Sequence, residues 1–204
     1  MIHEIRTYNL KHKMVPEYRK RFGDKLPERA KLSPLGGHWA TEVGNPNEVV
    51  AIWPYDSLEH RKQVRAEADA SGIWPPDTGD LIESMVSEIY TPAPFAPAIG
   101  ERNIGPIYEM RMYTYSAEDI PEVLESWGER LAARQEYSPM AGCWYKETGG
   151  LDNFVHMWAY PSFEERIRIR AETREKGVWP PPNSPPIIRQ RTKLLMPAPF
   201  SPMQ

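Results

Sequence analysis

The chain has 204 residues, of which 40% are hydrophobic and 26% are charged, and its formal net charge is -3. This composition is typical of a globular protein that buries about 70% of the surface exposed by its unfolded chain. The charge gives no electrostatic reason to expect nucleic acid or an anionic membrane as a partner, and no apolar run approaches the ~20 residues that cross a bilayer.

Cysteine usage and the start of the chain bear on its location. Cys143 is the single cysteine, so no disulfide forms within the chain. A lone thiol is typical of a reducing compartment. A strand pattern begins at Ile2 and leaves no room for a signal or transit peptide. We therefore expect a cytoplasmic protein.

The first strand pattern opens a long internal repeat. The segment IHEIRTYNL at 2–10 returns as IYEMRMYTY at 107–115, and the offset of 105 positions then continues without a gap. A period of this length corresponds to one small domain and is too long for a solenoid repeat. We therefore predict one repeat at 1–99, a linker at 100–106 and a second repeat at 107–204.

Both repeats predict the same order of elements. Alternating apolar residues indicate strands, apolar residues three to four apart indicate helices, and proline and glycine clusters indicate turns. Pro27 is expected to stop or kink the first helix, and Trp-Pro-Pro is expected to end the second helix of each repeat. The predicted elements of the first repeat are strand Ile2–Leu10, helix Lys13–Ala30, strands His38–Val43 and Glu48–Tyr55, helix Leu58–Ala70 and a strand near Met85–Tyr90.

The second repeat matches this order, with strands such as Asn153–Tyr160 and a helix at Phe163–Glu175. A β-α-β-β-α-β unit commonly forms a ferredoxin-like four-stranded antiparallel sheet with both helices on one face. The other face is then bare. We expect the two sheets to cover each other's bare faces.

The motifs IHEIRTYNL, Gly37-His38-Trp39, VVAIWPYDS, Trp74-Pro75 and the Pro-Ala-Pro-Phe tail together resemble the NIPSNAP family over almost the whole chain, twice. The resemblance implies the α+β dimeric α/β barrel, in which two ferredoxin-like units close an eight-stranded antiparallel barrel with outer helices. Some mitochondrial members of the family are linked to vesicle trafficking and to signalling on damaged mitochondria. Related barrel families include cofactor-free monooxygenases, lyases, isomerases and haem-binding proteins, and the fold does not decide among these functions.

The most prominent repeated motif is Glu-x-Arg-x-Tyr. Its period-two spacing places all three side chains on one sheet face, which we expect to be the barrel interior. One interpretation is the polar end of a pocket, with glutamate as acid or base, arginine anchoring a substrate anion and tyrosine as donor. The alternative is a structural ion pair that locks the strands. The matched residues are Glu4 and Glu109, Arg6 and Arg111, and Tyr8 and Tyr113.

The main difference between the repeats is His156, whose counterpart is Ala51. Histidine is the usual residue for proton transfer near neutral pH, so His156 is a candidate general base. The alternatives are a hydrogen-bonded histidine in a wet core and a haem ligand. No second histidine or cysteine stands at metal-ligand spacing around it, so no metal is expected.

His38, whose counterpart is Cys143, is a second candidate for the pocket. Four aromatic residues are candidate pocket walls or, alternatively, ordinary core: Trp53, Tyr55, Trp158 and Tyr160. Arginines four apart on the second helix of each repeat indicate a solvated face, with an anion site as the alternative. These are Arg61, Arg65, Arg166 and Arg170.

The chain has no Gly-rich phosphate loop and no Gly-x-Ser-x-Gly elbow, which argues against nucleotide and classical hydrolase chemistry. The favoured hypothesis is a small-molecule-binding barrel that acts as a metal-free and cofactor-free enzyme. It would do acid/base chemistry of the monooxygenase, lyase or isomerase type on a small aromatic or apolar compound. The alternative is a non-catalytic ligand carrier or a protein-interaction and trafficking module. In either case we expect a homodimer or higher homo-oligomer.

Overall fold

The computed structural model of the chain describes residues 1–149 and 153–204. It confirms the predicted order of elements, which occurs twice. The first repeat contains β1 Ile2–Leu10, α1 Val15–Ala30, β2 Gly37–Val43, β3 Glu48–Tyr55, α2 Leu58–Ala70 and β4 Ile82–Pro92. The second contains β5 Ile107–Thr114, α3 Ile120–Gln135, β6 Met140–Tyr145, β7 Phe154–Tyr160, α4 Phe163–Glu175 and β8 Arg189–Pro197.

The chain divides into two compact units, and each unit includes the last segment of the other repeat. The first unit holds Met1–Tyr90, Ile99–Arg102 and Met196–Gln204, and the second holds Thr91–Ala98 and Asn103–Leu195. Each Pro-Ala-Pro-Phe segment therefore belongs to the unit built mainly from the other repeat. In the first unit, the ring of Phe200 stacks on Phe22 at 5.5 Å between centroids.

Each unit contains a four-stranded antiparallel sheet. In the first, β1 lies between β3 and β4, and β2 pairs with β3. In the second, β5 lies between β7 and β8, and β6 pairs with β7. The complete strand order, β1-β3-β2-β8-β5-β7-β6-β4, is that of a closed barrel. The predicted α+β dimeric α/β barrel fold is thus confirmed.

The helix-facing side of each sheet carries the Glu-x-Arg-x-Tyr motif. In the first unit, Tyr8 packs in one apolar cluster with Tyr18 and Phe22 of α1 and with Ala51 and Trp53 of β3. The expectation that this face lines the barrel interior was wrong. Period-two spacing shows which side chains share a face, but it does not show which face the helices cover.

The helix ends predicted at Ala30, Ala70 and Glu175 are confirmed, but proline does not mark them. Pro27 lies inside α1, which continues to Ala30. So close to the helix end, its missing N–H removes one hydrogen bond without stopping the last turn. The second helices end before the Trp-Pro-Pro segments, where Gly72 and Gly177 adopt φ angles of +66° and +64°. Glycine takes this left-handed conformation without steric cost, so it terminates the helix first.

The Gly-x-Trp segment of β6 gives a first test of packing. The ring of Trp144, which is only 1% exposed, lies directly on Gly142, where a Cβ atom would overlap it. Because the buried ring has no room to move aside, Gly142→Ala is expected to lower the free energy of unfolding by about 2–3 kcal/mol in urea denaturation. Gly79→Ala is the control, since a Cβ there meets no atom within 4 Å. Equal losses in the two variants would contradict this packing.

Candidate ligand-binding site

A cavity of about 380 Å³ opens within the second unit, between its sheet and its helices. Residues of β5, α3, β7, α4 and the segment after α4 line it. This volume lies within the range of small-molecule sites.

Aromatic rings form the apolar walls of this second-unit cavity. Trp179 meets Trp127 edge-on at 4.6 Å and Trp158 at 5.6 Å between ring centroids. Tyr113 and Tyr115 complete the aromatic lining. Flat walls of this kind suit a flat, largely apolar ligand.

Four arginines contribute the positive charge of the cavity: Arg111, Arg134, Arg170 and Arg174. Arg134 is 2% exposed, and its guanidinium lies 4.2 Å from the ring centroid of Trp158. It also donates to the Tyr160 hydroxyl at 3.2 Å and to Ser138 Oγ at 2.9 Å. Arg134 is therefore held in place by the wall itself and keeps its charge inside the unit.

Glu109 anchors the other arginines. Its fully buried carboxylate accepts hydrogen bonds from Arg111 of β5 at 3.0 Å and from Arg166 and Arg170 of α4 at 2.5 and 3.1 Å. Burial raises the pKa of Glu109, but the charges of Arg170, Arg111 and Arg166 outweigh it and lower the pKa overall. Glu109 is thus an ionised carboxylate with a structural role. The expectation that Arg166 and Arg170 of α4 form a solvated face was wrong, because both bind this buried carboxylate.

His156 lies in the cavity wall and is 1% exposed. Its Nδ1 accepts a hydrogen bond from the indole N–H of Trp158 at 2.9 Å, and its Nε2 has no partner among the described residues. Burial lowers the pKa of His156 well below its usual value, and Arg111, Arg170 and Arg134 lower it further. At neutral pH the ring is therefore uncharged, with its proton on Nε2.

The protonation states of the cavity leave little scope for acid/base work near pH 7. Burial raises the pKa of Tyr113 and of Tyr115, so both hydroxyls stay protonated. Glu109 stays ionised and His156 stays neutral. A general base works best when its pKa lies near the operating pH, and these four groups are all displaced from it.

The first unit contains the equivalent cavity, of about 370 Å³. Glu4 takes the place of Glu109 and accepts hydrogen bonds from Arg61 at 2.7 Å, Arg6 at 3.0 Å and Ser87 at 2.5 Å. Burial raises the pKa of Glu4, but the hydrogen bond from Arg61 and the charge of Arg6 lower it to about 2. The ionised carboxylate thus has the same structural role in both units.

Several lining residues differ between the two cavities, and three of these differences involve an aromatic ring, an imidazole or a charge. Trp127, His156 and Arg174 line the second, and their counterparts 105 positions earlier are Phe22, Ala51 and Asp69. Asp69 lines the first-unit cavity, where it and Glu4 offset the three lining arginines. The second-unit cavity is therefore the more positive one and the one with an imidazole in its wall.

His38 lies outside both sets of lining residues, so its predicted place in a pocket was wrong. It is fully buried against the rings of Phe22 and Phe200, at 4.8 and 5.0 Å between centroids. In β-sheet register it stands opposite Ala51, whereas His156 stands opposite Cys143. Each unit thus places one histidine at this point of the sheet, but from different strands.

The acid sensitivity of the fold provides a test of His38. Burial and then the charge of Arg19 lower the pKa of His38 to about 3. Because the unfolded chain binds this proton with a pKa near 6.5, the stabilisation is present above pH 6.5 and is lost as the pH falls toward 3. For His38→Cys we expect the drop in unfolding free energy from pH 7 to pH 5 to shrink by ~2 kcal/mol, measured by urea denaturation. An unchanged drop would contradict the buried neutral ring.

The residues predicted for one site divide between two cavities. His156, Arg111, Tyr113 and Trp158 line the second, with Glu109 and Tyr160 hydrogen-bonded behind them. Glu4, Arg6, Trp53 and Tyr55 line the first. Tyr8 lines neither cavity and accepts a hydrogen bond from Arg6 at 2.8 Å.

Arg134 and its counterpart Arg29 were missed as site residues. Each lies over a tryptophan and donates to a tyrosine hydroxyl. The available signal was an arginine repeated at the 105-residue offset near the end of the first helix.

Among residues 1–149 and 153–204, no three histidine, cysteine, aspartate or glutamate side chains cluster at a separation suited to one metal ion. Within the same ranges, every helix is too short or too polar to cross a bilayer.

Comparison with known proteins gives a consistent family match. The NIPSNAP family model matches residues 3–97 and again residues 108–202. The chain is 28% identical over 183 residues to a NipSnap homologue of Dictyostelium discoideum, covering 87% of this chain and 78% of the relative. It is 26% identical to human NipSnap homologue 3A, covering 100% and 86%.

Among solved structures, a protein from Lactobacillus acidophilus described as a putative monooxygenase is 8% identical, with a TM-score of 0.62, and the alignment covers 96% of this chain and 92% of that one. At this identity the likeness shows the shared fold.

Proposed function

Because this chain belongs to the NIPSNAP family and carries the family unit twice, we propose that one unit binds a ligand and the other mainly completes the fold. The binding unit is the second, and its ligand is a small organic anion with a flat apolar body. Arg111, Arg134 and Arg170 would hold the charged group, and Trp127, Trp158 and Trp179 would enclose the rest.

The observation that carries this proposal is the charge of the second-unit cavity. Four arginines line it, and Glu109 is the carboxylate that balances part of their charge. Burying excess positive charge is costly unless an anion compensates it. A bound anion would supply that compensation, and charge-assisted hydrogen bonds from guanidinium groups are the strong ones.

Binding without catalysis is the better supported form of this function. In the unbound site, Glu109 is ionised, His156 is neutral and the tyrosines are protonated around pH 7, so these groups are poorly suited to proton transfer. The hypothesis that His156 acts as a base therefore has the burial and the charge of this cavity against it.

A metal-free enzyme of the monooxygenase, lyase or isomerase type is the second candidate. The observation in its favour is that His156, Arg111 and Arg170 all present N–H donors, which stabilise negative charge as it develops on an oxygen. The test is whether a bound compound is chemically converted. Mass spectrometry would measure the conversion rate with the wild-type protein and with Arg170→Met. Equal conversion rates in the two proteins would remove this candidate.

Calorimetric titration with three naphthalene derivatives tests the binding proposal. The probes are 2-naphthoate, its neutral amide and the cationic 2-naphthylmethylamine, which share one ring system. Because hydrogen bonds to charged groups contribute roughly 1.5–3 kcal/mol, 2-naphthoate is expected to bind about 10–100-fold more tightly than the amide, with the amine weakest. Equal affinity for acid and amide would refute the anion site.

Self-association, the absence of a cofactor and a cytoplasmic location stay predictions. Light scattering coupled to size-exclusion chromatography tests the first, with a mass of twice 23.5 kDa or more as the expected result. A mass of one chain at all concentrations would contradict it.

A further inference from the structure

Trp158 does more than form a wall of the second-unit cavity. Its indole N–H points at Nδ1 of His156, with 2.9 Å between the two nitrogens. Both side chains are almost fully buried, at 2% and 1% exposure. An indole nitrogen only donates hydrogen bonds, so Nδ1 of His156 has to be the acceptor.

This one contact decides which nitrogen of the neutral ring carries the proton. If Nδ1 accepts, the proton sits on Nε2, because a neutral imidazole has one donor and one acceptor. The opposite tautomer would bring two N–H groups face to face, and so would the imidazolium ion. Both states are disfavoured by the same tryptophan.

We infer that Trp158 is a positioning residue, which fixes His156 as an Nε2–H donor to an unprotonated oxygen of the bound anion. This inference rests on the proposed binding function and narrows its ligand class. Nε2 is buried in the cavity wall and finds no acceptor among the described residues. A carboxylate, phenolate or enolate oxygen would satisfy it, whereas a ligand that offers only a donor there would be rejected.

The groups around His156 support a fixed donor. Arg111 and Tyr113 face it from β5, Arg134 from α3 and Arg170 from α4, and Cys143 stands opposite it in register on β6. The hydroxyl of Tyr113 accepts from Arg111 at 2.7 Å, which leaves its own hydrogen to donate. The arginines are cations and donors only, so they oppose protonation of the imidazole and favour the same kind of ligand atom.

The first unit provides a matched control. Trp53 is the counterpart of Trp158, but Ala51 stands where His156 would be. Trp53→Phe therefore removes an indole N–H from the equivalent wall, at a place where no histidine accepts it. Trp158→Phe keeps an aromatic ring in place and removes the N–H.

Nitrogen NMR of ¹⁵N-histidine-labelled full-length protein tests the inference in the absence of ligand. The His156 signals are assigned by their loss in His156→Gln. In wild-type protein and in Trp53→Phe we expect one tautomer, protonated at Nε2, without titration between pH 5.5 and 8. In Trp158→Phe we expect a mixture of tautomers and a raised pKa. A proton on Nδ1 in the wild-type protein, or an unchanged tautomer in folded Trp158→Phe, would overturn the inference.

Adding 2-naphthoate separates this inference from the binding proposal. We expect a shift of the Nε2 signal on binding and an affinity about 3–10-fold weaker in Trp158→Phe. If 2-naphthoate leaves all signals unmoved while the ligand-free tautomer is as expected, the anion site is refuted and the tautomer assignment stands. If it binds but the tautomer is mixed in wild-type protein, only the role of Trp158 fails.

Discussion

Glu109→Leu is expected to lower the free energy of unfolding by roughly 3–5 kcal/mol in urea denaturation. The glutamate is fully buried, and three arginines that donate to it are between 10% and 29% exposed. Removing the carboxylate leaves these cations without their common partner, and an unpaired charge in the interior costs far more than a lost surface pair. The arginines would then repel one another across β5 and α4.

A surface ion pair on α4, the helix whose arginines bind Glu109, is the control for this variant. Glu165 and Arg168 are 2.8 Å apart and are 40% and 57% exposed. Exposed pairs contribute less than about 1 kcal/mol, so Glu165→Gln should change stability little. If Glu109→Leu cost no more than Glu165→Gln, the buried network would not be what joins α4 to the sheet.

Arg170→Met is expected to weaken 2-naphthoate binding by roughly 10–100-fold in calorimetric titration. Arg170 donates one hydrogen bond to Glu109 at 3.1 Å, and it also lines the second-unit cavity. Its remaining donors are thus available to an anion. Arg111 and Arg166 still pair with Glu109 in the variant, so the fold is expected to persist.

The matched variant in the first unit is Arg65→Met. Arg65 is the counterpart of Arg170, lines the first-unit cavity and lies 4.0 Å from Glu4. It should leave the affinity for 2-naphthoate unchanged, because the more positive cavity belongs to the second unit. Equal losses in the two variants would place the anion in both cavities or in neither.

The repeat and the order of elements could be predicted from the sequence, because the strand and helix periodicities recur at a fixed offset. The face that meets the helices could not. The Glu-x-Arg-x-Tyr motif is unusually polar for a sheet face that helices cover. It was therefore predicted to line the barrel interior. The missing information was a pairing between distant segments: Arg166 and Arg170 of α4 supply the charges that Glu109 needs.

The candidate site was predicted only in part for a related reason. The asymmetry between His156 and Ala51 identified a residue of the second-unit cavity. The same approach also selected His38, which the structure buries against Phe22 and Phe200. Sequence spacing shows that a histidine is on a sheet face, whereas its access to a cavity depends on which aromatic rings cover it.

The most direct test of ligand binding in the second unit is NMR of the tryptophan indole N–H groups during titration with 2-naphthoate. Trp127, Trp158 and Trp179 line or close the second-unit cavity, while Trp53 and Trp74 line the first. Saturable shifts confined to the first three signals are the predicted result. Shifts of equal size at Trp53 and Trp74, or no shift at any of the five, would contradict an anion site in the second unit.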